Sequence, residues 1–252
     1  MEPTPAAIRA AQRGTTKRTP RVELSLDRIV TAAIHLADRD GLPGISMAKV
    51  AKELGFATMS LYRHLDSKEE LLLHAQDSAI GPPPANIATA PDWRTCLTRW
   101  TRELVTAYRR HPWAAEIPVT GPPLLPRSLE WLNAGLTTLR TLPLQPLEKL
   151  STMSLLGGYA RTEVTLRAII DKEAALDPNA RPDLEYESQL RTLTAHRDLP
   201  ALTEMLATGD IFTLPSDTPT DDGDDFMVDF GLERILDGIQ ALITRREGSR
   251  RK

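Results

Sequence analysis

Cysteine is nearly missing. Cys96 is the single thiol in 252 residues, so an internal disulfide is impossible, and without a CxxC pair or a Cys/His cluster a zinc module is excluded too. That usage fits a reducing cytoplasm. Long apolar runs are also lacking: none approaches the roughly 20 residues a membrane span requires. The first twenty residues are rich in Pro, Ala and Arg and have no apolar centre of a secretory signal, so the start is read as mature protein and no membrane partner is expected. Neither sign of charge dominates, with 31 Lys+Arg against 34 Asp+Glu and a net charge of -3. Any affinity for phosphate must therefore come from a local patch. The sequence contains no GxSxG, HExxH, Walker loop or GxGxxG, and Cys96 has no evident base beside it. Enzymatic activity, a metal and a cofactor are all not expected.

The hydrophobic share is 41% and the charged share 26%, a soluble composition able to bury the core of one large or two modest domains. The 20 prolines gather in short clusters that read as connections. Residues 1–22 hold Arg9, Arg13, Lys17, Arg18 and Arg21 against Glu2 alone, which suggests a basic flexible arm or a plain solvated tail.

From Leu24 the pattern turns helical. Ser25 is a cap for a first helix running to about Asp40, with Leu26, Ile29, Ala33, Leu36 and Ala37 on one face and Gly41 as its stop. A second helix begins near Ser46, and a third near Thr58 carries Leu61 and Leu65 inward. A fourth starts at Ser67-Lys68-Glu69-Glu70, a capping-box pattern, and ends at Gly81-Pro82-Pro83-Pro84. That proline run divides a domain of residues 23–84 from a second of residues 85–252. The second reads as helices from Asp92 to about Arg110, 124–142, 146–176, 183–196, 199–208 and 226–246, with an acidic loop over 210–225. No segment alternates like a strand. The fold class expected is all-α: an N-terminal helix-turn-helix domain plus a C-terminal helical domain.

The informative stretch runs from Ile45 to Leu65. Two short helices meet at Gly55, where a positive φ is permitted; Ala51 is small at their crossing, and Val50, Leu54, Leu61 and Leu65 fix their angle. Thr58, Met59, Ser60, Tyr62, Arg63 and His64 then form a polar and aromatic face narrow enough for a major groove. Met47 reads as core.

Leu61-Tyr62-Arg63-His64-Leu65, followed by Ser67-Lys68-Glu69-Glu70-Leu71 and preceded by Ser46 and Val50-Ala51-Lys52-Glu53-Leu54-Gly55, resembles the TetR family of transcriptional regulators over residues 25–75. Gly121-Pro122 and Leu129-Glu130-Trp131-Leu132 are reminiscent of the branch nearer the tetracycline repressor. The resemblance implies a DNA-binding dimer. By it, Ser46 and Lys68 anchor phosphates at helix starts, Thr58, Met59 and Ser60 meet base edges, Tyr62 and His64 touch sugar and phosphate, and Arg63 does either. Ala48 stands where some relatives carry a base-reading basic residue, so that contact is lost or moved.

The second domain holds all four tryptophans in a chain with only 5% aromatics. Trp100, Tyr108, Trp113, Trp131, Met153 and Tyr159 are candidates for an apolar effector pocket, and the same rings are what a core requires. Arg161 and Glu163 add polar candidates. On the long helix, Ser151, Ser154, Gly157, Gly158 and Ala160 permit close helix approach. With the apolar stripe of the last helix (Val228, Leu232, Ile235, Ile239, Leu242), they suggest a homodimer through four helices. The function expected is a ligand-responsive regulator, a repressor where its palindromic operator in double-stranded DNA overlaps a promoter, released by a small apolar or aromatic effector. A helical protein-interaction module with a helix-turn-helix that binds no DNA is the rival reading.

Overall fold

Short polar side chains set where several helices begin. In the computed structural model, which describes residues 23–119, 121–122, 124–176, 182–209, 211–212 and 226–250, Ser25 accepts from the Arg28 amide, Ser46 from the Lys49 amide and Asp92 from the Thr95 amide. Each satisfies an amide that the first helical turn leaves free. The helices so started are α1 (Leu26–Asp40), α2 (Met47–Leu54) and α5 (Trp93–Arg110). Between the last two lie α3 (Thr58–Leu61) and α4 (Lys68–Ile80). Ser67 caps α4 through the Glu70 amide at 3.1 Å, and Glu70 reaches back one residue further than a capping box requires, to the Asp66 amide at 2.5 Å. Then follow α6 (Trp113–Glu116), α7 (Pro126–Thr138), α8 (Pro146–Leu176), α9 (Pro182–Thr194), α10 (Pro200–Ala207) and α11 (Phe226–Arg250). No strand occurs among the described residues. The basic arm of residues 1–22 and nearly all of the acidic stretch 210–225 lie outside them.

Two bundles share one continuous core. In the N-terminal bundle, Ile29, Leu36, Ile45, Val50, Leu61, Leu65 and Leu71 are almost fully enclosed where α1 packs on α2 and α4. Enclosing such a side chain is worth about 1.5–3 kcal/mol, so these residues hold the short α3 that could not persist alone. Gly55 ends α2 at φ 74° and ψ 28°. The requirement there is conformational, since a Cβ would meet nothing within 4 Å.

In the C-terminal bundle, α5 lies against α6, α7 and α8, and α11 closes over α8. Trp100 stands edge-on to Trp131, with ring centroids 5.8 Å apart, and donates its indole N–H to the Trp131 carbonyl at 2.9 Å. Gly135 admits Met153, whose sulfur would lie 2.7 Å from any added Cβ. Ion pairs lace α11 to its neighbours: Arg94 to Asp237 at 2.7 Å, Arg102 to Asp229 at 2.6 Å, and Arg246 to Glu148 on α8.

Two readings of helix faces need correction. Gly157 and Ala160 turn inward, Gly157 where an added Cβ would stand 3.9 Å from the Trp100 ring and Ala160 fully buried, whereas Ser151, Ser154 and Gly158 lie outside. Likewise Val228, Leu232 and Ile239 of α11 are buried against their own chain. The helix near Thr58 is also shorter than its pattern suggests, ending at Leu61; turn bonds from the His64 and Leu65 amides to the Leu61 carbonyl carry the chain onward.

Candidate nucleic-acid interface and effector domain

The surface around α3 is built from alternating anchors and free side chains. Leu61 is fully enclosed and Leu65 almost so, which fixes the turn between them. The residues they leave outside are Met59, 73% exposed, Tyr62, 43% exposed, and Arg63 and His64, also exposed; Thr58 and Ser60 are half-buried at the edge. Ser46 is half-buried and its oxygen accepts the Lys49 amide at 3.2 Å, so its hydroxyl proton stays available to a phosphate oxygen. Lys68 occupies the first position of α4, exposed. Met47 is buried, as expected of core.

The six C-terminal candidates divide by what their polar ends do. The Trp113 indole N–H donates to Asp38 at 2.7 Å, and that same carboxylate oxygen stands 2.7 Å from His111 Nδ1. The Trp131 indole donates to the Gly81 carbonyl at 2.9 Å. The Tyr159 hydroxyl lies 2.7 and 2.9 Å from the Met227 and Val228 carbonyls at the start of α11, in a notch that Gly231 leaves open, and its single proton serves one acceptor at a time. Burial and the nearby Glu163 carboxylate push the Tyr159 phenol well above its ordinary value. Burial likewise raises Glu163, against the hydrogen bond from Tyr159. Tyr108 lies under the Arg161 guanidinium, 5.7 Å from ring centroid to Cζ, and burial raises its phenol more than that cation lowers it. Arg161 also donates to the Ala115 carbonyl at 3.0 Å and to the Ile117 carbonyl, closing the C-terminal end of α6. Trp100, Trp131 and Met153 meet across α5, α7 and α8, at the centre of the bundle.

Three residues between the bundles escaped the sequence reading. Asp38 on α1 takes His111 and Trp113, Gln76 on α4 donates to the Ala114 carbonyl at 2.6 Å, and buried Asp77 on α4 meets the start of α7. A carboxylate in the last turns of a helix, where the dipole disfavours it, was the one available hint at Asp77.

The model of the bacterial regulatory proteins of the tetR family matches residues 29–75, and that of the tetracyclin repressor-like C-terminal domain matches residues 88–243. The chain belongs to the TetR family of transcriptional regulators. It is thus a regulator and not an enzyme. It is 36% identical over 236 residues, 92% of this chain and 83% of the relative, to the HTH-type transcriptional repressor DrrR1 of Streptomyces coeruleorubidus. Over 117 residues, 45% of this chain and 49% of the relative, it is 38% identical to an HTH-type transcriptional regulator of Saccharopolyspora erythraea. Apo ActR of Streptomyces coelicolor shares the fold, with a TM-score of 0.65, 24% identity and coverage of 87% of this chain and 98% of that one. ActR structures in complex with (S)-DNPA and with actinorhodin align comparably, at TM-scores of 0.65 and 0.64, 23% identity in each case, 88% of this chain in each, and 99% and 98% of theirs.

Along the outer side of α8, Leu147, Leu150, Leu155, Leu166 and Ile169 are exposed and alternate with Ser151, Ser154 and Gly158. Spacing of three and four residues places them on one side of the helix. Met227 and Phe230 are large exposed apolar residues of α11. No helix of the described residues is long and apolar enough to cross a membrane.

Proposed function

We propose that the protein is a cytoplasmic repressor that binds a palindromic operator as a homodimer and releases it on binding an apolar or aromatic effector. The observation that carries this reading is the α3 surface: Met59, Tyr62, Arg63 and His64 exposed on a rigid base of Leu61 and Leu65. Thr58, Met59 and Ser60 meet base edges, while Ser46 and Lys68 hold phosphates on either side. Tyr62 and His64 contact sugar and phosphate; Arg63 reads a base or grips the backbone. The basic arm of residues 1–22 adds phosphate contacts.

The apolar outer stripe of α8 supports pairing with a second copy, whose two-fold axis sets two α3 surfaces one helical turn of DNA apart, about 34 Å. The effector-binding and dimerisation domain is residues 85–252, with Trp100, Tyr108, Trp113, Trp131, Met153 and Tyr159 framing the ligand region. An effector that favours another arrangement of the domain's helices changes operator affinity by about 5- to 150-fold, the usual range of such coupling.

The test is a gel shift with duplex from the DNA flanking the gene, together with solution mass. A two-subunit species and salt-sensitive, sequence-selective binding are expected. Lys68→Ala weakens all sequences alike, Ser60→Ala alters selectivity, and truncation at Arg21 lowers affinity. Leu155→Glu gives monomers that bind poorly. A monomeric wild type indifferent to every flanking duplex overturns the reading and favours a protein-interaction module.

A further inference from the structure

Helix α7 begins without a cap of its own. Its N-cap residue is Leu125, at φ -86° and ψ 154°, and Pro126 follows. Leucine has no acceptor for the amides of the second and third helical positions, Arg127 and Ser128. Both are taken by Asp77, about fifty residues earlier on α4. One carboxylate oxygen accepts the Arg127 amide at 3.1 Å; the other accepts the Ser128 amide and the Ser128 hydroxyl, each at 2.7 Å. The Arg127 guanidinium plays no part, being turned to Glu130 at 2.9 Å. One turn further along α7, Trp131 donates to the Gly81 carbonyl just past the end of α4. Asp77 is only 7% exposed, so water cannot substitute for these bonds without the helices parting.

We propose that Asp77 is the positioning residue that couples the effector domain to the DNA-binding bundle, holding α7 and α4 as one body by capping α7 from a distance. A side chain serving only as a cap would be local, as Ser25 and Ser67 are. Because this cap sits on the other helix, any movement of α7 away from α4 uncovers two amides and a hydroxyl, and any smaller movement drags α4 along. With α4 go Lys68 at its far end and, through the shared core, α3. The inference rests on the reading that α3 meets DNA.

The experiment uses the full chain and amide hydrogen exchange, with and without a duplex from the DNA flanking the gene. Without DNA, Asp77→Ala should speed exchange in residues 127–129 at least tenfold; Asp77→Asn, which keeps one acceptor oxygen, should do so less. Adding Leu125→Asp to Asp77→Ala supplies a local cap in a backbone conformation suited to one, and should restore that protection. With DNA, the wild type should show slower exchange both around Met59–His64 and, at least threefold, in residues 127–131. In the Asp77→Ala/Leu125→Asp variant the first effect should persist and the second vanish. Unchanged exchange in Asp77→Ala refutes the remote cap. A wild type protected at α3 but not at α7, or a double variant in which α7 still responds, refutes the coupling. Absence of protection at α3 itself refutes the DNA-binding reading and the coupling built on it, while the DNA-free arm still decides the cap.

Discussion

Replacing Lys68 by alanine separates anchoring from folding. Lys68 is the first residue of α4 and takes no part in the cap, which is made by Ser67 and Glu70. A cation at a helix N-terminus opposes the helix dipole, so its removal leaves the melting temperature unchanged or slightly raised. Binding should change in a way set by charge alone. In the proposed dimer each subunit would contribute one such contact, two in all; at about 0.9 in slope per phosphate, the plot of log affinity against log salt should flatten by about 1.8. Over the range from roughly 50 to 200 mM salt, the advantage of wild type over Lys68→Ala should then shrink about tenfold. Fluorescence anisotropy with a labelled duplex at several salt concentrations measures it, with a scrambled duplex as control. A slope equal to wild type would refute the phosphate role, and weaker binding accompanied by a lower melting temperature would assign Lys68 to the fold.

Other perturbations follow from the geometry. Asp38→Ala strands the indole N–H of Trp113, a side chain only 3% exposed, and should cost about 1–3 kcal/mol in urea unfolding, towards the low end because Asp38 is itself partly wet. Gly231→Ala reverses the usual gain of up to about 1 kcal/mol for alanine in a helix, since the added Cβ would lie 2.7 Å from Tyr159 Cζ; the melting temperature should fall, and a rise would show that the α8–α11 notch is loose. Asp237 is held below the ordinary carboxylate range by its hydrogen bonds from Arg94 and Arg234, and Glu148 by its bond from Arg246. Their folded values are depressed, so their contribution is present above the unfolded carboxylate range of about pH 4 and lost as pH falls through the lower folded values. Asp237→Asn and Glu148→Gln should each make acid unfolding less steep, and an unaltered pH profile would remove these pairs from the account.

Much of this fold was legible because local chemistry decides it. Pro146 and Asp177-Pro178 bracket a periodic stretch, and α8 indeed runs from Pro146 to Leu176. Ser25, Ser46 and Asp92 each announce a helix that begins at the next residue. The α6 turn was not legible, being four residues with no room for a period. Gly157 and Gly158 show a different limit: adjacent and chemically identical, one faces Trp100 and the other the outside. Composition cannot tell a small residue that admits its own core from one that admits a neighbour. At the candidate interface, the exposure of Met59 and Arg63 followed from the burial of Leu61 and Leu65. The links through Asp38, Gln76 and Asp77 did not, because their partners lie between 38 and 75 residues away.

The division of chromophores between the bundles makes the molecule a reporter on itself. All indoles fall between Trp93 and Trp131, while the DNA-facing bundle contains Tyr62 as its one phenol. Intrinsic emission excited at the red edge therefore comes from the C-terminal half, with Trp113 and Trp131 at its seam with α1 and α4, and with the near-perpendicular Trp100–Trp131 pair placed to register any slippage between α5 and α7. A change in that glow on adding duplex, which in the proposed complex touches no tryptophan, would be a message received beyond the contact surface without any label attached.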